Sequence, residues 1–421
     1  NLGNLLRNEG KFEEAVVYYR RALALKPDYA AAYNNLGLTL HSQSKPAEAE
    51  AHYRKALALM PAFAEAHNNL GITLADQGHP AEAEAHYQKA LALKPDFAEA
   101  HGNLGNALKD QGRLEEAVVH YRQVLALKPD CAEVHMILGH SLMFLGQLKE
   151  AVACYRKALE LKPDRADWHS ALLFELNYFS EDLVAITEEY RRWNNLHARR
   201  LSQCIKPHTN NRDTDRRLRV GYVSADFWTH SISYFLEPLL AAHDHAQVEV
   251  FCYSNGKRSD AATERFQGLA DTWRDIISMN DDAVAELIRT DRIDILVDCS
   301  NHSSGNRLLV FARKPAPVQV SYGGSAMTTG LTTMDYRLTD RFLSPPNSPE
   351  WSSEELIRMP NVVACYRPPA EAPAVSSLPA SANGYVTFGC FNNLVKVTPT
   401  VIALWSRILR ALPEARLIMK D

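Results

Sequence analysis

AAAYNNLGLTLHSQSKPAEAEAHYRKALALMPAF (residues 30–63) is followed at once by a near-copy, AEAHNNLGITLADQGHPAEAEAHYQKALALKPDF (residues 64–97). Gly3, Gly37, Gly71, Gly105 and Gly139 stand thirty-four residues apart. Tyr19, Tyr53, Tyr87, Tyr121 and Tyr155 keep that step, and so do Pro27, Pro61, Pro95, Pro129 and Pro163. Within one unit, Leu36, Gly37 and Leu40 fall on one helix, Ala49, Tyr53 and Ala56 on the next, and Pro61 ends it. Small residues at Gly37 and Ala49 let the two helices approach closely. A single helix pair cannot cover its own apolar face, so units stack.

A thirty-four-residue period with this pattern is the tetratricopeptide (TPR) repeat. Four full units run from Ala30 to Arg165, preceded by the tail of another. Lys-Pro-Asp at 26–28, 94–96, 128–130 and 162–164 reads as helix stop, turn and next start. Asn1, Asn35, Asn69 and Asn103 share one position on successive first helices, and Ile137 breaks the series. First helices line the concave wall of such a superhelix. There a ladder of amides offers paired donors and acceptors to an extended peptide backbone, or else it bonds within the scaffold. His67, His101 and His135 also recur in register with Tyr33. They read as half-buried aromatics at a packing position.

The chain has 421 residues, enough for two or three domains, and a net charge of −4. That balance implies neither a nucleic-acid nor an acidic-lipid partner. Seven cysteines are scattered without a CxxC pair, which argues against a disulfide framework or a zinc site and for a reducing, cytoplasmic setting. No apolar run approaches the roughly 18 residues of a membrane span.

After Arg165 the period is lost. Trp168, Leu172, Leu176 and Tyr178 predict one further helix and Asp182 to Leu201 another, with a basic end. These cap the array, and Lys206 to Arg217 reads as a linker or surface crossing. From Leu218 strands and helices alternate. Leu218–Ser224, Val248–Tyr253, Ile293–Cys299 and Val318–Tyr322 read as buried strands, with a helix over Ala283–Arg289. The expected fold is therefore an all-α TPR superhelix followed by an α/β domain with a mostly parallel sheet. Ligands of such sheets bind beyond the carboxyl ends of the strands. The polar residues there are Ser224, Asp226 and His230, then Ser254 and Asn255, then Ser300 to Gly305, and Gly323 to Gly330. Pro368 to Asn383 reads as a second linker. Tyr385–Phe391, Pro399–Leu412 and Arg416–Met419 then give strand, helix and strand, too short for a core and so the expected start of a second α/β lobe. The domain plan is TPR array 1–165, cap and linker 166–217, first lobe 218–367, linker 368–384, second lobe from 385.

The array is followed by Leu-Arg-Val-Gly-Tyr-Val-Ser-Ala-Asp-Phe (218–227) with His230 downstream. Next come Arg-Lys-Pro-Ala-Pro-Val-Gln-Val-Ser-Tyr (313–322), Thr-Thr-Gly (328–330), Met-Asp-Tyr (334–336) and Phe-Asn-Asn-Leu-Val-Lys (391–396). Together these resemble the O-linked N-acetylglucosamine transferases and their bacterial and plant relatives, including the SPINDLY-type proteins. The resemblance runs through essentially the whole chain. It implies two Rossmann-like lobes facing a cleft, the GT-B architecture. It implies inverting transfer of N-acetylglucosamine from UDP-GlcNAc to Ser or Thr hydroxyls of proteins, with no metal and with the TPR groove guiding the acceptor. The alternatives are fucose from GDP-fucose, or a non-catalytic TPR adaptor built on a degenerate transferase domain. Self-association stays open.

Such a reaction needs a group to take the hydroxyl proton and cations or N–H groups to meet the departing diphosphate. By the resemblance, Lys396 matches the lysine that binds the donor diphosphate, and Asn393 a nucleotide contact that is usually Gln. His230 matches a histidine proposed as general base, which also suits substrate positioning. A neutral imidazole titrating near neutrality fits either role. Asp226 is placed to orient a hydroxyl or His230, or to cap the helix near Ser231, and His302 is a further candidate base. Gly323 to Gly330, with Gly324, Thr328 and Thr329, corresponds to a loop over the donor sugar. Gly324-Ser325-Ala326 stands where relatives usually have Gly-Tyr-Pro.

Overall fold

A computed structural model of the chain describes residues 2–179, 182–213, 215–323, 327–347, 351–368, 372–392 and 397–420. It divides into two compact units, Asn1–Leu161 and Lys162–Asp421.

The first unit is the helical repeat. Its helix pairs are α1 (Leu2–Asn8) with α2 (Phe12–Leu25), α3 (Ala30–Ser42) with α4 (Pro46–Leu59), α5 (Ala64–Asp76) with α6 (Pro80–Leu93), α7 (Ala98–Asp110) with α8 (Leu114–Leu127), and α9 (Ala132–Phe144) with α10 (Leu148–Leu161). The shared period of glycine and tyrosine has a steric cause. A Cβ on Gly71 would lie 2.6 Å from the Tyr87 ring, and one on Gly105 would lie 2.7 Å from Tyr121. The first helix of each pair therefore needs hydrogen where the second inserts its buried ring. The turn within each pair needs a left-handed residue, supplied by Gly10, Gly78, Gly112 and Gly146 and in register by Ser44.

The second unit opens with α11 (Ala166–Phe179) and α12 (Leu183–Trp193). The Asp182 carboxylate caps α12 by accepting from the N–H groups of Val184 and Ala185. The helix expected to reach Leu201 stops at Trp193 and continues as one π-helical turn (Asn194–Ala198) and a 3₁₀ turn (Arg199–Cys204). The widened turn accompanies a buried contact, His197 Nε2 to His169 Nδ1 at 3.0 Å.

The sheet comprises β1 (Leu218–Ser224), β2 (Val248–Ser254), β3 (Thr272–Asp275), β4 (Ile295–Asp298), β5 (Val318–Ser321), β6 (Tyr336–Asp340) and β7 (Glu355–Met359). The strand order is β3-β2-β1-β4-β5-β6-β7, and every pairing is parallel. The crossovers carry α13 (Ser233–Ala241), α14 (Ala261–Leu269), α15 (Asp281–Thr290) and the short α16 (Leu308–Phe311). One face packs Val220, Tyr222, Val250, Cys252 and Val297 against Leu236, Leu240 and Phe266. The polar segment before β1 is strapped across the sheet's amino end, where Asp294 binds Arg216 and the Asn210 amide at 2.7 Å each.

The expected linker contains a short helix, α17 (Pro379–Asn383). After it, β8 (Thr387–Cys390), α18 (Pro399–Ala411) and β9 (Arg416–Met419) form a separate parallel pair with its crossover.

Candidate active site

The chain leaves β1 toward β2 and β3 on one side, and from β4 it runs outward through β5 to β7 on the other. Beyond the carboxyl ends of β1 and β4 the loops part, which makes the switch point where such sheets bind ligands. The loops after β1, β2 and β4 are tied together there. Asn255 N–H donates to the Ser224 carbonyl at 2.8 Å, and the Asn255 amide donates to the Gly305 carbonyl at 2.7 Å. Gly305 has φ +75, and a Cβ on it would come 2.9 Å from the Ala225 Cβ. Arg307 braces the cluster by donating to Asn255 Oδ1 at 2.8 Å.

His230 stands on this framework with its side chain 38% exposed, beside the 17%-exposed Asp226. Its Nδ1 lies 3.8 Å from Asp226 Oδ2 and 3.4 Å from the Ile232 N–H. Its carbonyl accepts from Ser233 N–H at 3.0 Å and from the Ser233 hydroxyl at 2.6 Å. Helix α13 starts at Ser233 with no side-chain cap, so Asp226 caps no helix and its place is beside the imidazole. Here Nδ1 accepts from the Ile232 N–H, which leaves the ring proton to Nε2; in the other tautomer Asp226 would accept Nδ1–H and the Nε2 lone pair would be free to take a proton.

Two groups here escaped the sequence reading. The Trp228 ring lies 5.4 Å from the His230 ring, and the Arg258 guanidinium lies over Trp228 at 4.7 Å. The Lys257-Arg258 pair after a strand was the available signal. Thr229 N–H donates to Asp260 Oδ2 at 2.9 Å. Hydrogen bonds from Thr229, joined by those from Thr263 and Ala262 at the start of α14, hold the Asp260 carboxyl down to about 2. Asp298, at the end of β4, also went unremarked. Its buried carboxyl accepts from Ser300 and Asn301 N–H at 3.2 and 2.9 Å, yet burial outweighs these bonds and pushes it up to about 7.

His302 is corrected by its surroundings. It is 3% exposed, with Nε2 donating to the Thr329 carbonyl at 2.9 Å and Nδ1 2.9 Å from the Ser170 hydroxyl. Trp193 and Tyr190 meet the ring edge-on at 4.9 and 5.3 Å. Burial pushes it down to about 3, so both nitrogens serve packing and none is left for a base. Thr328 and Thr329 are buried as well. Their hydroxyls and the Thr329 N–H converge on Glu354, with Thr328 Oγ1 at 2.6 Å and Thr329 N at 2.7 Å. Asn301 adds a hydrogen bond to the Met327 carbonyl at 2.9 Å. One end of the loop after β5 is thus fixed. Gly324, Asn393 and Lys396 lie outside the described residues, as does Asn1.

In the repeat unit, Asn35 Nδ2 donates to Asn4 Oδ1 at 3.1 Å, Asn69 to Asn34 at 3.0 Å and Asn103 to Asn68 at 2.9 Å. Each ladder amide is therefore half used in joining one repeat to the preceding one. The oxygens of Asn69 and Asn103 accept no hydrogen bond among the described residues. All three side chains stay partly exposed.

Residues 169–365 match the model of glycosyl transferase family 41, and TPR models match residues 3–44, 30–63, 74–135 and 108–173. A Petunia hybrida protein named as a probable UDP-N-acetylglucosamine–peptide N-acetylglucosaminyltransferase SPINDLY is 44% identical over 253 residues, 59% of this chain and 27% of its own length. A Caenorhabditis elegans UDP-N-acetylglucosamine–peptide N-acetylglucosaminyltransferase is 32% identical over 201 residues, 45% of this chain and 17% of its own. The chain thus spans about a quarter of the length of the curated plant relatives it matches. No helix among the described residues is long and apolar enough to cross a membrane. The solved structure of a mutant O-GlcNAc transferase from Thermobaculum terrenum superposes with TM-score 0.72 at 38% identity, covering 85% of this chain and 68% of that one. With repeat and sheet matched together over that span, the chain belongs to glycosyl transferase family 41.

Proposed function

We propose that this chain carries out protein O-glycosylation, moving N-acetylglucosamine from UDP-GlcNAc to Ser or Thr hydroxyls by an inverting, metal-independent transfer. The observation that carries this is His230 at the switch point, half exposed and 3.8 Å from Asp226, in a chain of family 41. His230 takes the proton of the attacking hydroxyl or positions it, and Asp226 orients the ring. Lys396 meets the negative charge that grows on the departing diphosphate, with Asn393 and Gly324 as further donor contacts. Thr328 and Thr329 enter as the fixed end of the donor loop, since Glu354 occupies their hydroxyls. Asn69 and Asn103 hold the acceptor backbone through their free oxygens, and Asn35, whose oxygen already accepts from the Asn34 amide at 3.4 Å, through the second N–H of its amide.

The test is a mass shift on an unfolded acceptor protein incubated with UDP-GlcNAc or with GDP-fucose. Transfer from the first, a fall of about 100-fold or more in His230→Ala, and unchanged donor affinity in that variant are expected. Transfer from GDP-fucose alone would change the donor. Full turnover in His230→Ala would remove His230 from the reaction, and a chain that binds protein but transfers neither sugar would be an adaptor.

A further inference from the structure

Most arginines of the sheet domain are spoken for. Arg216, Arg219, Arg274, Arg307 and Arg313 each bind a carboxylate of the same domain. Arg258 differs. It is exposed, and neither it nor its neighbour Lys257 has a carboxylate within ion-pair reach among the described residues. What holds Arg258 is the face of Trp228, and Trp228 in turn stands against His230. A guanidinium laid on an indole keeps its charge and its planar set of donors. It loses less side-chain freedom than a waving arginine when those donors engage an anion.

The loop that bears the two cations is indexed to His230 from both ends. Before them, Asn255 N–H is bonded to the Ser224 carbonyl, and a Cβ on Gly256 would lie 3.0 Å from the Ala225 carbonyl oxygen. After them, Asp260 receives the Thr229 N–H. The cations cannot drift far from the imidazole without breaking one of these ties.

We propose that Arg258, aided by Lys257, is an acceptor-selecting site that binds a carboxylate or phosphate on the polypeptide near the hydroxyl to be modified. This rests on the function proposed above, in which His230 marks the place of that hydroxyl and Lys396 serves the donor diphosphate. The acceptor is the source of the anion for that reason. The site adds selectivity to a peptide track whose amides read only backbone.

Fluorescence anisotropy on the intact chain tests this with two labelled peptides, identical except that the target serine is flanked by aspartates in one and asparagines in the other. The wild type is expected to bind the acidic peptide about 3- to 10-fold more tightly at low ionic strength, and the margin to shrink in high salt. Arg258→Ala and Arg258→Gln should abolish the margin, and Trp228→Ala should reduce it. The asparagine peptide should bind each variant within about 2-fold of wild type, which also reports an intact fold. No margin in the wild type, or an undiminished margin in Arg258→Ala, overturns the site. A weakened affinity for UDP-GlcNAc in Arg258→Ala with the peptide margin intact assigns the cation to the donor and overturns it equally. Sugar transfer plays no part in this readout, so a chain that transfers nothing contradicts the function while the peptide margin still decides the site.

Discussion

Glu354 collects three buried donors, the hydroxyls of Thr328 and Thr329 and the Thr329 N–H, and the part-buried hydroxyl of Ser352. Removing the carboxylate strands those groups, and each buried unsatisfied donor costs about 1–3 kcal/mol. Glu354→Ala is expected to lower unfolding stability by about 3 kcal/mol or more in chemical denaturation. A loss below about 0.5 kcal/mol would mean that the threonines find other partners. Nothing in the sequence links Glu354 to Thr328, because the pairing depends on two loops meeting in space. The family motifs were legible, yet several of their residues turn out to build the fold. Buried Gln319 donates to the carbonyls of Phe311 and Thr333 at 2.9 Å each. Asp335 of Met-Asp-Tyr binds Lys314 and the Gln319 N–H. His230 and Asp226 were legible because they follow closely on a strand, Leu218–Ser224, that is marked by its apolar residues. Trp228 and Arg258 were not, since a ring and a cation on different loops share no spacing.

At the scale of elements, His67 and His101 of the histidine series each pair with a second histidine, while His135 reaches only the Pro129 carbonyl. His67 Nε2 donates to the Pro61 carbonyl at 3.1 Å, so its Nδ1 accepts from His86 Nδ1–H at 2.9 Å. His101 and His120 repeat this with the Pro95 carbonyl. Tyr33 stacks on His52 at the equivalent place. Burial first, then the neighbouring imidazole, pushes His86 down to about 4, with Lys89 and Arg54 lowering it further and Glu82 opposing. His67 and His120 are lowered too, again chiefly by burial, with Glu116 and Glu84 opposing at His120. The unfolded chain then binds more protons than the folded one between the ordinary imidazole value of 6.5 and about 4. Stability from these pairs is complete above that window and is lost as pH falls through it. Protection factors of the α5 to α8 amides, with the pH dependence of intrinsic exchange divided out, should therefore fall from pH 7 to pH 5, and the fall should be smaller in a His86→Gln, His120→Gln double variant. Equal slopes in the two proteins would contradict this origin. The repeat helices were readable from period alone, and β1 and β9 from their short runs of apolar residues. Missed were β3, β6 and β7, since Thr-Trp-Arg-Asp, Tyr-Arg-Leu-Thr-Asp and Glu-Leu-Ile-Arg-Met mix charge into short or edge strands.

On the scale of the whole molecule, the chain joins a helical repeat, in which the oxygens of Asn69 and Asn103 accept no hydrogen bond among the described residues, to a parallel sheet with His230 beside Asp226 at its switch point. The division of labour proposed for them is that one carries the acceptor and the other the chemistry. Each part on its own leaves the function open, because TPR arrays bind many partners and Rossmann-like sheets host many reactions. The most direct measurement compares sugar transfer to a long unfolded protein with hydrolysis of the donor by water, in wild type and in the Asn35→Ala, Asn69→Ala, Asn103→Ala triple variant. The account predicts transfer by the wild type, a fall of about 10-fold or more in transfer by the variant, and hydrolysis within about 2-fold of wild type. An equal fall in both rates would reduce the amides to scaffold, and neither transfer nor hydrolysis by the wild type would contradict the account as a whole.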